Sequence, residues 1–289
     1  MKILDYMKGI DMNKKLNEII ENICNEEIKG RKISKQPLCV LLGGLPGSGK
    51  TNLIKKIKEE YKERDFVVID TDDYRKLHPN YKTLIKTPER AITETSEFSN
   101  AIEAELIQKS IKEHCDIISV TTLRATEAID NILYVPAIKS GYTMEVCIMS
   151  VPISESGLSA QNRYERQIAN GECPRFTPMS FIEDSLQGIK NTIQMLQSKQ
   201  DNPTIKVFSR GQGENSMPIE FYNSQKQDTK YRCALEAFIN SKKSLDNKNA
   251  IEQINELYKL KQCRNANSIE YSSLERLEEL FRIERDIER

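Results

Sequence analysis

Gly44-Leu45-Pro46-Gly47-Ser48-Gly49-Lys50-Thr51 satisfies the G-x-x-x-x-G-K-[ST] pattern of a phosphate-binding loop. An apolar run of strand length, Leu38-Cys39-Val40-Leu41-Leu42, precedes it, and Leu53, Ile54, Ile57 and Tyr61 follow at three- and four-residue spacing. Strand, loop and helix are the context the motif requires. Glycines at 44, 47 and 49 let the backbone bend tightly and bring successive N–H groups against phosphate oxygens, with a helix N-terminus behind them. Lys50 is placed to reach the β- and γ-phosphates, and the Thr51 hydroxyl to sit on a Mg2+ ion bridging them. The expected cofactor-binding set is thus the whole loop, with ATP or GTP and Mg2+ as its ligands. The bland alternative is a glycine-rich turn that binds nothing, and the complete motif in its proper context argues against it.

Outward from the loop, Phe66-Val67-Val68-Ile69 reads as a second strand that ends in Asp70-Thr71-Asp72-Asp73-Tyr74. In open α/β sheets the carboxyl ends of strands form the ligand crevice, so these carboxylates should emerge beside the phosphate loop. One of them could be a base for a hydroxyl nucleophile, or could cap the next helix. Asp116-Ile117-Ile118-Ser119-Val120 is a third strand, leading into Thr121-Thr122-Leu123-Arg124, and Met144 to Met149 and Thr204 to Phe208 are the fourth and fifth. Helices are expected at about Phe98 to Glu113, Thr126 to Ser140, Ser154 to Ala169 and Ser180 to Ser198. This alternation predicts a P-loop NTPase-type three-layer α/β sandwich with a mainly parallel sheet and extra helices at both termini. Beyond Gly211 and Gly213, Ile219-Glu220-Phe221-Tyr222 is a candidate edge strand.

The composition, 38% hydrophobic and 30% charged over 289 residues, suits one large domain or a main domain with an appendage. Lys plus Arg and Asp plus Glu both number 43, so no global charge favours nucleic acid or an anionic membrane. The seven cysteines, at 24, 39, 115, 147, 173, 233 and 263, are scattered and never form C-x-x-C. That spacing, with only His78 and His114, argues against zinc and for a reducing compartment. Met1 to Lys8 holds no continuous apolar stretch, and no run of about 18 apolar residues occurs, so a cytoplasmic location is expected.

Other P-loop classes can be excluded. A GTPase needs Asn-Lys-x-Asp, whereas Asn247-Lys248-Asn249-Ala250 lacks the aspartate, and no transporter-ATPase signature precedes a second aspartate strand. A small-molecule kinase remains. Phosphoryl transfer needs cations on the transferring group, and Arg163, Arg166 and Arg175 fall together between Asn162 and Phe176 as candidates, although a solvated helix face is the commoner fate of any one arginine.

Several ordered pieces resemble the zeta-toxin family, bacterial kinases of UDP-N-acetylglucosamine. They are the loop itself, Val68-Ile69-Asp70-Thr71-Asp72 followed by His78-Pro79-Asn80-Tyr81, Ser99-Asn100 before the next helix, Arg163-Tyr164-Glu165, and Arg175 with Thr177-Pro178. The resemblance implies that Asp72 is the general base, drawing the proton from the sugar 3'-hydroxyl. It implies that Lys50, Arg163 and Arg175 neutralise the γ-phosphate, and that Asn100, Thr122 and Arg124 hold the nucleotide sugar. A small helical antitoxin is the partner it implies.

One departure stands out. Where the family has an acidic residue and Gly-Thr-Gly-Arg after the third strand, this chain has Val120-Thr121-Thr122-Leu123-Arg124. A different nucleotide sugar, another hydroxyl acceptor, a weakened enzyme or a nucleotide-binding interaction protein that has lost catalysis would each accommodate it. A carboxylate from the neighbouring helix, Glu103 or Glu105, reaching the same space would preserve the kinase reading.

The resemblance divides the chain into an N-terminal amphipathic helix and connector at 1–36, a kinase domain at 37–224 and a C-terminal helical extension at 225–289. Leu16, Ile19, Ile20 and Ile23 stripe the first helix, which should pack on the same domain or serve as an interaction or inhibitory element. The C-terminal helices, expected at Tyr231 to Lys242, Ala250 to Lys261 and Leu274 to Ile287, offer the same two options.

Overall fold

β1 (Leu38–Gly44) is buried along its whole length, as a strand covered on both faces of a parallel sheet must be. The computed structural model describes residues 14–84, 88–172, 174–211, 217–226, 230–240 and 246–287. Gly213, Cys173 and Met1 to Lys8 lie outside them.

The sheet has six strands in the order β2-β3-β1-β4-β5-β6, with β2 Phe66–Asp70, β3 Asp116–Val120, β4 Thr143–Met149, β5 Thr204–Ser209 and β6 Ile219–Asn223. All pairings are parallel except that of β6, an antiparallel edge strand on β5. Connections leave β1 towards opposite sides, which makes its carboxyl end the switch point where such sheets bind ligands. The register sets Asp70 opposite Val120, and Val120 opposite Leu42. Chain segments 43–51, 70–75 and 121–124 therefore emerge side by side.

Side-chain alternation sorts the core into two layers. Leu38, Val40 and Leu42 pack with Leu53 and Ile57 of α2 (Lys50–Glu60), whereas Cys39 and Leu41 join the larger cluster on the opposite face. That cluster includes Ile102, Leu106 and Ile107 of α5 (Pro88–Lys112) and Ile20 and Cys24 of α1 (Lys14–Ile28). The first helix thus packs on the body of the fold, and an Arg31–Asp65 ion pair at 2.9 Å fixes the connector after it.

Two short helices, α3 (Thr71–Arg75) and α4 (Tyr81–Leu84), follow β2 without apolar periodicity to announce them. α5 begins well before Phe98 because its first turns, Pro88 to Thr95, are rich in Glu and Thr and carry no clear apolar stripe. The expected helix at Thr126 to Ser140 is interrupted, as α6 (Thr126–Ala128), a π-helical stretch Ile129–Tyr134 and α7 (Val135–Lys139). Pro136 has no N–H to continue an α-helical ladder, and the wider turn carries Leu133 and Tyr134 into the core. Downstream come α8 (Ile153–Ala169), α9 (Met179–Gln197), α10 (Ala234–Ile239), α11 (Asn247–Cys263) and α12 (Ser268–Ile287). α10 is shorter than Tyr231 to Lys242, whose last residues lie outside the described chain. α11 and α12 start earlier than their stripes, α11 because Asp246 caps it by accepting from the Lys248 and Asn249 N–H groups. Among the described residues no helix is long and apolar enough to cross a membrane, and the six cysteines described are free thiols.

Candidate active site

The loop wraps a cavity of about 290 Å³ at the carboxyl end of β1. Gly44 and Gly47 have φ of 142° and 78°, conformations that a side chain resists. A Cβ on Gly47 would also lie 2.7 Å from the Ser156 carbonyl. α8 is therefore seated directly on the loop, and the Ser156 hydroxyl donates to the Pro46 carbonyl at 2.6 Å. Lys50 folds back to donate to the Gly44 and Leu45 carbonyls at 2.9 and 3.1 Å. Burial, reinforced by Arg175 and Arg163 and opposed by Asp70, pushes its ammonium down to about 7.

Thr51, Asp70, Asp72, Arg163, Arg166 and Arg175 line the same cavity. Arg163 is exceptional: its Nε and Nη2 are buried without any hydrogen-bond partner, and burial lowers its pKa. A guanidinium held this way, beside a lysine that burial has made weakly basic, forms a hole for a polyanion.

The three carboxylates after β2 have separate fates. Asp70 caps α3, accepting from the Asp72 N–H at 3.0 Å, and burial followed by Asp73 raises its pKa. Asp73 is exposed and pairs with Lys76. Asp72 faces the cavity, held by Arg175 and by Arg75, whose Nε is 3.3 Å from one carboxylate oxygen.

A second pocket of about 340 Å³ adjoins the first and shares Thr71, Thr121, Thr122 and Arg175 with it. Asn100 enters from α5 and Arg124 from beyond β3, the Arg124 guanidinium lying 4.4 Å from the centre of the Phe181 ring. Asp72 lines the loop cavity with Lys50 and Arg163, next to the shared Thr71 and paired with the shared Arg175, whereas Asn100 and Arg124 line only the adjoining pocket and Thr122 lines both. α1, α11 and α12 contribute no described residue to either lining.

Val120 is 3% exposed, and its side chain belongs to the apolar layer of Leu42 and Leu53. The second pocket nevertheless contains a carboxylate. Glu103 of α5 lines it, and burial together with Asp70 raises its pKa to about 7. Glu105 instead pairs with Lys109. Leu123 has φ of 56°, which explains why a glycine suits this position. Its side chain is fully buried and occupies the space over Gly43, where a Cβ would approach Leu123 carbons to 2.1 Å.

Residues without a sequence signal complete the site. Arg75 holds Asp72 and also donates to Thr95 and Ser96 at 3.2 and 2.9 Å. It stands three residues beyond Asp72 on a helix too short for periodicity to reveal. Arg210, just past β5, donates to Ser159 at 2.9 Å and to the Gly47 carbonyl, closing the loop from the far side. For a metal, Thr51, Asp70 and Asp72 offer hard oxygen donors, although among the described residues no cluster of three or more His, Cys, Asp or Glu could hold an ion alone. That set fits Mg2+, which keeps few protein ligands and takes the rest from phosphate and water.

A parallel sheet with a phosphate loop at its switch point, cations around the loop and a polar pocket beside it defines a P-loop NTPase-like α/β protein. The zeta toxin family model matches residues 24–227, and the chain belongs to that family, kinase-like phosphotransferases of toxin–antitoxin systems. Toxin zeta of Enterococcus hirae is 28% identical over 197 residues, covering 67% of this chain and 68% of that protein. Toxin PezT of Streptococcus pneumoniae serotype 4 is 28% identical over 184 residues, 63% of this chain and 72% of that protein. Among solved structures, a chain from the PezAT toxin–antitoxin system of S. pneumoniae superposes with a TM-score of 0.68 at 21% identity, covering 86% of this chain and 96% of its own. A chain of AvrRxo1-ORF1:-ORF2 with ATP gives 0.58 at 13% identity, covering 93% and 91%.

Proposed function

We propose that the protein is a kinase that transfers the γ-phosphate of ATP or GTP to the sugar 3'-hydroxyl of UDP-N-acetylglucosamine or a related nucleotide sugar. The observation that carries this reading is the buried guanidinium of Arg163, with two donor nitrogens lacking a partner, on a loop cavity that shares Arg175 and Thr122 with a second polar pocket. Family membership and an ATP-bound structural neighbour support it.

In this mechanism the loop N–H groups and Lys50 hold the β- and γ-phosphates. Thr51 and Asp70 would hold Mg2+, which when bound neutralises phosphate charge. Asn100, Thr122 and Arg124 orient the acceptor. Asp72 takes the proton from its hydroxyl as that oxygen bonds to the γ-phosphorus, and the bond from phosphorus to the bridging oxygen of the nucleoside diphosphate breaks. Arg163 and Arg175 stabilise the equatorial oxygens, so Arg175 must exchange Asp72 for phosphate when the triphosphate enters. Glu103 supplies a carboxylate to the acceptor side, whereas Val120 leaves the loop cavity without one at the end of β3. A small antitoxin is the expected protein partner, as in the PezAT system.

Purified protein with ATP and Mg2+ should phosphorylate UDP-N-acetylglucosamine or a member of a nucleotide-sugar panel, and Asp72→Ala should not. Binding of ATP without labelled product on any acceptor would instead favour a nucleotide-binding interaction protein, the reading that the buried valine at 120 keeps open.

A further inference from the structure

We infer that the C-terminal helix pair α11–α12 positions the arginines of the phosphate cavity, through a largely buried ion cluster, whose Arg264 alone is partly exposed, and one hydroxyl. The inference rests on the phosphotransfer reading for its meaning and on the following geometry for its content.

α8 carries two stripes. Ser159, Arg163 and Arg166 line the phosphate cavity. Ser154, Gln161 and Glu165, roughly 140° away around a helix of 3.6 residues per turn, face the C-terminal helices. Glu165 accepts from Lys261 Nζ at 3.0 Å and from Arg264 Nε and Nη2 at 3.0 and 2.8 Å. Glu270 takes the remaining donors, Lys261 at 3.4 Å and Arg264 Nη1 at 3.1 Å. Lys261 is 0% exposed, Glu270 4% and Glu165 7%. Ser154 donates to Glu284 at 2.7 Å at the other end of the helix.

The Ser273 hydroxyl of α12 accepts from Gln161 Nε2 at 3.1 Å and from the Met179 N–H at 3.0 Å. One atom therefore joins α8 to the start of α9, closing the segment that carries Arg175. Arg163 has two buried donors without partners, so the backbone of α8 sets where it points. A buried ion cluster adds little net stability over apolar packing of the same volume. What it supplies here is one fixed register between α8 and α12, and hence one placement of the cations. Lys261, Arg264 and Ser273, together with Glu165, are positioning residues.

The test uses full-length protein and compares binding of ADP with that of a non-hydrolysable ATP analogue, alongside turnover. Glu165→Gln and the milder Ser273→Ala should leave ADP affinity within about twofold and reduce the preference for the triphosphate by about tenfold or more, with kcat falling by a similar factor. Arg264→Ala should behave alike, and Arg264→Lys should recover part of the loss. In an Arg163→Ala background, Glu165→Gln should cost clearly less than it does alone, and fully additive losses would overturn the inference. Variants that lower the melting temperature yet keep the triphosphate preference would overturn the inference, as would a wild-type protein without that preference, since nothing would then be positioned. A wild type that prefers ATP but phosphorylates no acceptor would remove the kinase reading and leave the brace standing.

Discussion

The loop cavity and the proposed acceptor pocket share a wall and are built in opposite ways. The first grows from eight consecutive residues and is surrounded by cations delivered by α8, which carries Arg163 and Arg166, and by the non-helical segment after it, which carries Arg175. The second is assembled from separate pieces: α3, α5, the turn after β3, the π-helical stretch and Phe181 of α9. A contiguous loop whose backbone makes the contacts leaves little room for substitution. A pocket made of single side chains from many segments can exchange one at a time, and here its carboxylate is Glu103 of α5. The cation side is thereby the fixed half of the site and the acceptor side the adjustable half.

The comparison can be broken most directly at its fixed half. Lys50→Ala should lower phosphate transfer by about a thousandfold or more, because it removes the ammonium that meets the β- and γ-phosphates once nucleotide is bound; residual transfer above a hundredth of wild type would show that the arginines suffice. Asp72→Asn should cost about 10² to 10⁴ in kcat with acceptor affinity nearly unchanged, read by single-turnover kinetics and acceptor titration. A change confined to KM would move Asp72 from the base to the binding set.

The two halves also differ in how they titrate. Lys50 near 7 is largely neutral in the free protein at pH 8, and an adjacent polyphosphate restores its charge, so ATP binding at pH 8 should take up about one proton. Calorimetry in buffers of different ionisation enthalpy measures that uptake, and Lys50→Met should abolish it. Glu103 runs the other way. Its pKa is raised from 4.5 to about 7, so between those values the folded state holds more protons than the unfolded one and stability falls as pH rises. Glu103→Gln should therefore raise the melting temperature at pH 8 by roughly 2 to 4 °C, with the difference vanishing near pH 4.5. An equal gain at both pH values would mean that Glu103 is not buried as a titrating group.

The same division governs what could be read without coordinates. The loop and the strand after it were legible because a backbone-mediated anion site demands glycines at fixed offsets and a strand-to-helix context, whereas among the three carboxylates that follow only the family resemblance singled out Asp72. The parallel sheet followed from apolar runs alternating with helical stripes, and β6 from its position after glycines. α3, α4 and the π-helical stretch were not legible, since elements of a few residues have no period. Arg75 and Arg210 escaped because each acts through a contact distant in sequence or on an unseen helix, and Phe181 because an aromatic on a helix face looks like core until a guanidinium is found above it. The Glu165–Lys261–Arg264–Glu270 cluster was illegible for a further reason: charges at helical spacing usually face water, and only tertiary packing buries Glu165, Lys261 and Glu270 and half-buries Arg264.

Leu123 and Gly43 act as a two-part lock on the chain's own sequence. The Gly43 backbone is not in the left-handed region, so what an alanine Cβ there would strike first is the Leu123 side chain, at 2.1 Å. Gly43→Ala alone should unfold or inactivate the protein, Leu123→Gly alone should open a small void, and the two together should be better tolerated than Gly43→Ala, as thermal melts of the three variants would show. The route by which this site can drift is therefore ordered: position 123 must shrink before position 43 can grow.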